Sequence, residues 1–186
     1  MNSKDTVGVI ELSSISKGFE VEDAVLKYAS VEKLVARSIC SGKFLILVRG
    51  EIADVESCLE KAASTGSHAV IQTVLLPNMD DGIFPAIVGA TTLDDPDAGG
   101  VLILETFSAA SAIQMADLAA KQANIRILRI HLAMAIGGKG LVVLTGDTES
   151  LKSVLGPVLE FAKNDGMLGG YSLIPNPHPD VLKEMI

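Results

Sequence analysis

The chain has 186 residues, of which 48% are hydrophobic and 20% charged, and its formal net charge is −8. This length allows one sizeable domain or two small ones, and the apolar composition suggests surface buried against partners. The 15 lysines and arginines are scattered, which argues against a nucleic-acid surface. Neither a continuous apolar span of roughly eighteen residues nor a secretory signal is visible, so we expect an intracellular protein that does not cross a membrane.

The first half of the chain predicts six elements in the order βαββαβ. Strands are predicted at 7–12, 31–39, 43–50 and 69–77, and helices at 18–29 and 51–63. Apolar residues at helical spacing predict the inward faces, with Val21, Ala24, Val25 and Tyr28 in the first helix and Ile52, Val55, Leu59 and Ala62 in the second. This order predicts the split-βαβ, or ferredoxin-like, arrangement of helices on one face of an antiparallel sheet.

The second half of the chain repeats the first. VLILETFS (101–108) aligns with VGVIELSS (7–14), and LIPN (173–176) aligns with LLPN (75–78). Between them, GGKGLVVLTGD begins at Gly137 and aligns with SGKFLILVRGE, which begins at Ser41. The pattern predicts a tandem duplication, with a first domain over 1–90, a linker rich in Gly, Pro and Asp over 91–100, and a second domain over 101–186.

One of the two cysteines stands at the tip of a predicted connection. Cys40 precedes Ser41 and Gly42 between two strands, where a thiol is exposed rather than packed. Residue type alone leaves two interpretations open: a small residue in a narrow turn, or a thiol that serves as a ligand. Cys58 follows Val55 on the inward helix face and is predicted to be a core residue without chemistry.

These residues together resemble the BMC-domain family, the shell proteins of bacterial microcompartments. The markers are the opening VGVIEL strand, the helix end DAVLKYA (23–29) and the small-residue turn after Ile39, and the second half carries them as VLILETFS, DLAAKQAN and AIGGKG. The element order is similar to the unpermuted tandem class, and most similar to its cysteine-bearing members in propanediol-utilising compartments. Those members place a proline after the cysteine, whereas this chain has Ser41.

The resemblance implies an α+β protein of two tandem ferredoxin-like BMC domains that forms a pseudo-hexameric homotrimer. Such a tile packs edge to edge with other shell proteins in a cytoplasmic microcompartment shell, and it is not an enzyme, so no catalytic residue is expected. The implied pore loops are Cys40, Ser41 and Gly42 in the first domain and Ile136, Gly137 and Gly138 in the second. The implied tile-edge residues are Lys27 and Lys121.

The resemblance also implies a [4Fe–4S] cluster in the pore, one per trimer. Three Cys40 thiolates around a three-fold axis would ligate three of the four irons, and an exogenous ligand would complete the fourth. The second domain adds no sulfur, because Ile136 occupies the position that matches Cys40. The expected role is electron transfer or iron–sulfur delivery across the shell, with encapsulated redox enzymes as candidate partners.

Two other functions stay open: the same tile with an unligated, metabolite-conducting pore, and a trimeric ligand-sensing regulator. Lys43 and Lys139 follow the pore turns and are interpreted either as positive charge at the pore mouth or as solvated strand ends. The three histidines show no metal-ligand spacing and are interpreted as structural. The acidic run over 94–97 is interpreted as a solvated linker.

Overall fold

The computed structural model describes residues 6–92 and 99–185, so the acidic run over 94–97 lies outside the described residues. The chain divides by its contacts into two compact units. The first unit extends to Met79 and also includes Met134–Gly138, and the second comprises Asp80–Ala133 and the chain from Lys139 onward.

The first unit contains one four-stranded sheet and two long helices. Its elements are β1 (Thr6–Leu12), α1 (Ile15–Tyr28), β2 (Glu32–Ile39), β3 (Lys43–Gly50), α2 (Ile52–Gly66) and β4 (Val70–Leu76), with short 3-10 turns at Cys40–Gly42 and Ser67–Ala69. The strand order is β2-β3-β1-β4 and every pairing is antiparallel. This order confirms the predicted ferredoxin-like fold.

The core of the first unit lies between this sheet and its helices. Because strand side chains alternate between faces, Ile10 and Ile46 share the helix-facing side and pack with Val21 and Val25 of α1. Gly18 allows α1 to lie against the sheet, since a Cβ at this position would come within 2.3 Å of the Phe44 ring. The sequence therefore packs β2 and β3, the strands that flank the Cys40 turn, against this core.

Two residues that helical spacing placed inward are exposed. Tyr28 is 63% exposed and Ile52 is 48% exposed, so the prediction was wrong for both. Tyr28 is the last residue of α1 and Ile52 is the first of α2, and a helix end can extend past the layer that covers the middle of the helix. The Lys61 ammonium lies 5.5 Å from the centroid of the Tyr28 ring, which gives this aromatic ring a partner at the surface.

The second unit repeats the sheet and carries two additional short helices. Its elements are α3 (Ile83–Val88), β5 (Gly100–Thr106), α4 (Ala109–Gln122), β6 (Arg126–Leu132), β7 (Gly140–Gly146), α5 (Thr148–Asp165), β8 (Leu168–Pro175) and α6 (Pro179–Glu184). The strand order is β6-β7-β5-β8, again antiparallel throughout. Leu182 of α6 packs with Val101, Leu128 and Val143.

Helix α3 explains why the contact boundary differs from the boundary of the sequence repeat. The repeat places residues up to 90 with the first domain, whereas contacts assign the chain from Asp80 to the second unit. The reason is that α3 packs against β6. Ile83 and Ala86 are the buried residues of this short helix.

The backbone conformation repeats as the sequence does. Ser41 and Gly137 occupy equivalent positions with φ of 66° and 67°, and Asn78 and Asn176 both have a φ of 50°. Left-handed conformations at matched positions show that the two halves share their turns as well as their strands. Equivalent residues of the two halves can therefore be compared directly.

Candidate pore-loop site

Cys40 lies in a tight turn that joins β2 to β3. The turn covers Cys40–Gly42, with Ser41 and Gly42 in the left-handed region at φ of 66° and 72°. Proline fixes φ near −65°, so the turn in this conformation cannot accommodate a proline at position 41. The conformation leaves Cys40 half-buried and its two neighbours exposed.

The turn contacts the loop that joins β6 to β7, through residues 134–138 of the first unit. The backbone N–H of Ala135 donates a hydrogen bond to the Cys40 sulfur at 3.1 Å. The Ser41 hydroxyl donates to the Gly137 carbonyl oxygen at 3.2 Å. The two loops predicted to line the pore thus lie side by side, and we refer to residues 40–42 and 135–138 as the paired turns.

Gly138 fixes how closely the paired turns approach. A Cβ on Gly138 would lie 2.6 Å from the Ser41 oxygen and 3.1 Å from the Ser41 Cβ. A Cβ on Gly137 would contact nothing within 4 Å. Only the glycine at 138 is therefore required for packing, although both glycines have positive φ.

The lysines that follow the turns form ion pairs, which sequence reasoning missed. The Lys43 ammonium lies 2.9 Å from Glu11, whose side chain is fully buried, and the Lys139 ammonium lies 2.7 Å from Glu105. Neither lysine is therefore a simply solvated strand end. The signal was present in the sequence, because a glutamate in the first strand and a lysine opening the third recur in both halves.

The two predicted tile-edge lysines occupy equivalent helix ends in different surroundings. Lys27 is bonded to Asp23 at 2.7 Å, and its side chain is 74% exposed. Lys121 is bonded to Asp117 at 2.6 Å, and its side chain is 40% exposed. The edge role itself stays a prediction.

Two further residues, Cys58 and His178, have surroundings that suit a structural role. Cys58 is fully buried, and burial raises the pKa of its thiol to about 11, so it stays protonated at neutral pH. The ring of His178 accepts the Asp180 N–H at the start of α6. Within residues 6–92 and 99–185, no three His, Cys, Asp or Glu side chains of one chain converge as a metal site.

The helices in these ranges include none that is both long and apolar enough to span a bilayer.

This chain is similar to known proteins of one family. The family model described as the BMC domain matches the chain twice, over residues 6–79 and 101–177. A bacterial microcompartment shell protein, PduT from Citrobacter freundii, is 37% identical over 180 residues, which cover 97% of each chain. A crystal structure of a microcompartment protein from Desulfitobacterium hafniense DCB is 38% identical with a TM-score of 0.81, covering 96% of this chain and 98% of the other.

A more distant structure shares the fold alone. A fused permuted hexameric shell protein of the RMM microcompartment has a TM-score of 0.64 at 18% identity, covering 87% of this chain and 85% of the other. The two domain matches and the two relatives of 37% and 38% identity show that the chain belongs to the BMC-domain family of microcompartment shell proteins. As a member, it is a structural protein of a microcompartment shell within the cytoplasm.

Proposed function

We propose that three copies of this chain form a shell tile whose central pore holds one [4Fe–4S] cluster through Cys40. The tile would transfer electrons, or deliver iron–sulfur units, across the shell without acting as an enzyme. The observation that carries the proposal is the half-buried thiol at the tip of a turn, with a backbone N–H directed at its sulfur.

The residues present fit the chemistry of such a cluster. Iron–sulfur clusters are held by cysteine thiolates, and hydrogen bonds to the sulfur atoms help to set their reduction potential. The Ala135 N–H supplies one such bond to Cys40. Because Ile136 matches Cys40 in the second half, each chain brings one thiol, and the ligand set requires several copies.

The chain's own residues would hold and orient the thiolate. Ser41 bonds to Gly137 and so restrains the turn that carries Cys40, while the Ala135 N–H stabilises negative charge on the sulfur. Strands β2 and β3 anchor both ends of the turn. When bound, the cluster would supply one-electron transfer.

Metal analysis of anaerobically purified protein tests this proposal. We expect about four irons and four acid-labile sulfides per trimer, and an electron paramagnetic resonance signal after reduction. Cys40→Ser should lose all three, and Cys58→Ser is the matched control that should keep them, because Cys58 is buried in the core. Absence of iron after anaerobic reconstitution would contradict the cluster and leave a trimer with an unligated, metabolite-conducting pore.

A further inference from the structure

We propose that the loop joining β6 to β7 is built to direct one backbone N–H, that of Ala135, at the sulfur of Cys40, and that this donor raises the reduction potential of the site. The inference rests on the [4Fe–4S] tile proposed above and deepens it, because it identifies what tunes that site. Ala135 acts through the Cys40 sulfur and is therefore a positioning residue. The inference follows from a difference in loop length between two halves that otherwise repeat each other.

The loop of the second half is longer than the turn of the first. The last strand pair that the two halves share is Ser38 with Phe44 in the first half and its counterpart in the second. The connection between the paired residues covers 39–43 in the first half and 133–139 in the second, so the second is two residues longer.

The two additional residues are Met134 and Ala135. Ala133 is the last residue before them that has a counterpart in the first half, and Ile136 takes the position of Cys40, since the residues that follow have matching left-handed conformations. The Ala135 N–H donates to the Cys40 sulfur at 3.1 Å. The first half thus supplies the thiol, and the insertion in the second half supplies the donor.

The loop adopts unfavourable backbone conformations to reach the sulfur. Ala133 and Ala135 both have a left-handed φ, of 61° and 60°, whereas Ile39, the counterpart of Ala133, is extended with a φ of −126°. The left-handed region is crowded for a residue with a Cβ, so two such alanines so close together persist only where their surroundings hold them. The bond to Cys40 is one contact that holds them.

The fold itself does not require the insertion. A shorter turn is sufficient to join these strands, because the first half uses one at Cys40–Gly42. The Met134 side chain does not fill a core, since it is 44% exposed, and Ala135 is exposed as well. What the two residues add is an N–H at the sulfur of the other half.

A donor at this position has a defined electrostatic effect. An added electron increases the negative charge on ligating sulfurs, so an N–H directed at a sulfur favours the reduced state and raises the reduction potential. A backbone N–H does not titrate, so the effect is the same across the pH range in which the protein is folded. Each chain brings one thiol and one donor, and three copies would therefore tune all three thiolates equally.

Deleting Met134 and Ala135 together tests the inference. The deletion gives the second half the loop length of the first and removes the donor, while Cys40 remains. We expect this variant to bind about four irons per trimer, as the native protein should, and to have a more negative midpoint potential in a spectroelectrochemical titration. Met134→Ala and Ala135→Gly are the matched controls, because both keep the loop length and the N–H and should keep the native potential. Circular dichroism checks that all three variants fold.

Hydrogen exchange of the Ala135 amide tests the bond without the cluster. In the metal-free protein, we expect Cys40→Ala to speed this exchange on the order of fivefold, because the substitution removes the acceptor. The Ala90 amide, which is bonded to the Pro85 carbonyl oxygen at 2.9 Å, is the internal control that should not change. Nuclear magnetic resonance of alanine-labelled protein resolves the two amides, and this measurement decides the bond even where the deletion prevents folding or iron binding.

The outcomes separate this inference from the proposed function. A deletion variant that binds iron at the native potential would overturn the tuning and leave the cluster in place. An Ala135 amide that exchanges equally fast with and without the Cys40 sulfur would overturn the hydrogen bond, whatever the iron content. Native protein that binds no iron after reconstitution would overturn the proposed function, and the tuning with it.

Discussion

At the scale of single residues, the two repeats place the same ion pair in different environments. Glu11 is fully buried beside Lys43, whereas Glu105 and Lys139 are 44% and 45% exposed. Removing the cation beside a buried carboxylate leaves charge that water cannot reach, whereas an exposed carboxylate recovers its solvation. The repeat therefore provides an internal comparison of buried and exposed pairs.

We expect Lys43→Ala to lower the free energy of unfolding by about 3–5 kcal/mol, and Lys139→Ala by about 1 kcal/mol or less. Urea unfolding measures the free energy of unfolding of each variant. All proteins are compared at one fixed concentration, so that oligomerisation contributes equally to each value. Equal losses in the two variants would show that the burial of Glu11 does not decide the energy of its pair.

Asp147 links stability to pH at the start of α5. Its carboxylate accepts the Ser150 hydroxyl at 2.5 Å and the Ser150 N–H at 2.9 Å, and these bonds, the hydroxyl's first, lower its pKa. A lowered pKa means that the stabilisation is present above the unfolded value, about 3.9, and is lost as the pH falls through the folded value. Asp147→Asn keeps a capping side chain without this titration.

Melting temperatures across the acid range measure the effect of Asp147. We expect the native chain to lose more stability than Asp147→Asn between about pH 5 and pH 2. Parallel curves for the two proteins would mean that the carboxylate contributes no more than a neutral cap.

At the scale of elements, the paired turns depend on one glycine rather than two. Alanine at either Gly137 or Gly138 adopts a left-handed φ, which costs roughly 1–2 kcal/mol. At 138 the added Cβ would also collide with Ser41, whereas at 137 it would enter open space. The two substitutions therefore differ only in whether they push the turns apart.

We expect Gly138→Ala to melt at a lower temperature than Gly137→Ala and to hold less iron after reconstitution, because the collision displaces the turn that carries Cys40. Differential scanning calorimetry and metal analysis on the same preparations measure both quantities. Equal iron content in the two variants would show that the spacing of the turns does not influence the cluster.

The sequence predicts elements better than it predicts their contacts. Alternating or helically spaced apolar residues indicated the six elements of each half. The similarity of the second half of the sequence to the first indicated that the fold is duplicated. The Glu11–Lys43 pair was not predicted, because it requires β1 and β3 to be neighbours in a register that sets Glu11 opposite Leu45. The Ala135 bond to Cys40 depends on two loops far apart in the chain, which no local pattern encodes.

At the scale of the whole molecule, surfaces left open by one chain determine what the chain assembles into. The resemblance implied a tile edge at Lys27 and Lys121, and the structure adds that Lys27 is the more exposed of the two. The two lysines occupy equivalent helix positions, and each is paired with the aspartate four residues before it.

We expect the double variant Lys27→Ala with Lys121→Ala to leave the trimer intact and to abolish the extended protein layers that tiles form by packing edge to edge. Each lysine carries a long apolar stem and a charge that an edge contact would bury, and alanine provides neither. Light scattering measures the molar mass and so detects the trimer, and negative-stain electron microscopy detects the protein layers. Lys152→Ala with Lys183→Ala is the matched control, because both lysines are exposed and paired three residues along a helix. If the protein layers persist in the Lys27→Ala/Lys121→Ala variant, the tile edge lies elsewhere on the surface. If the layers are lost in the control variant as well, general surface charge rather than a local edge contact governs the packing of tiles.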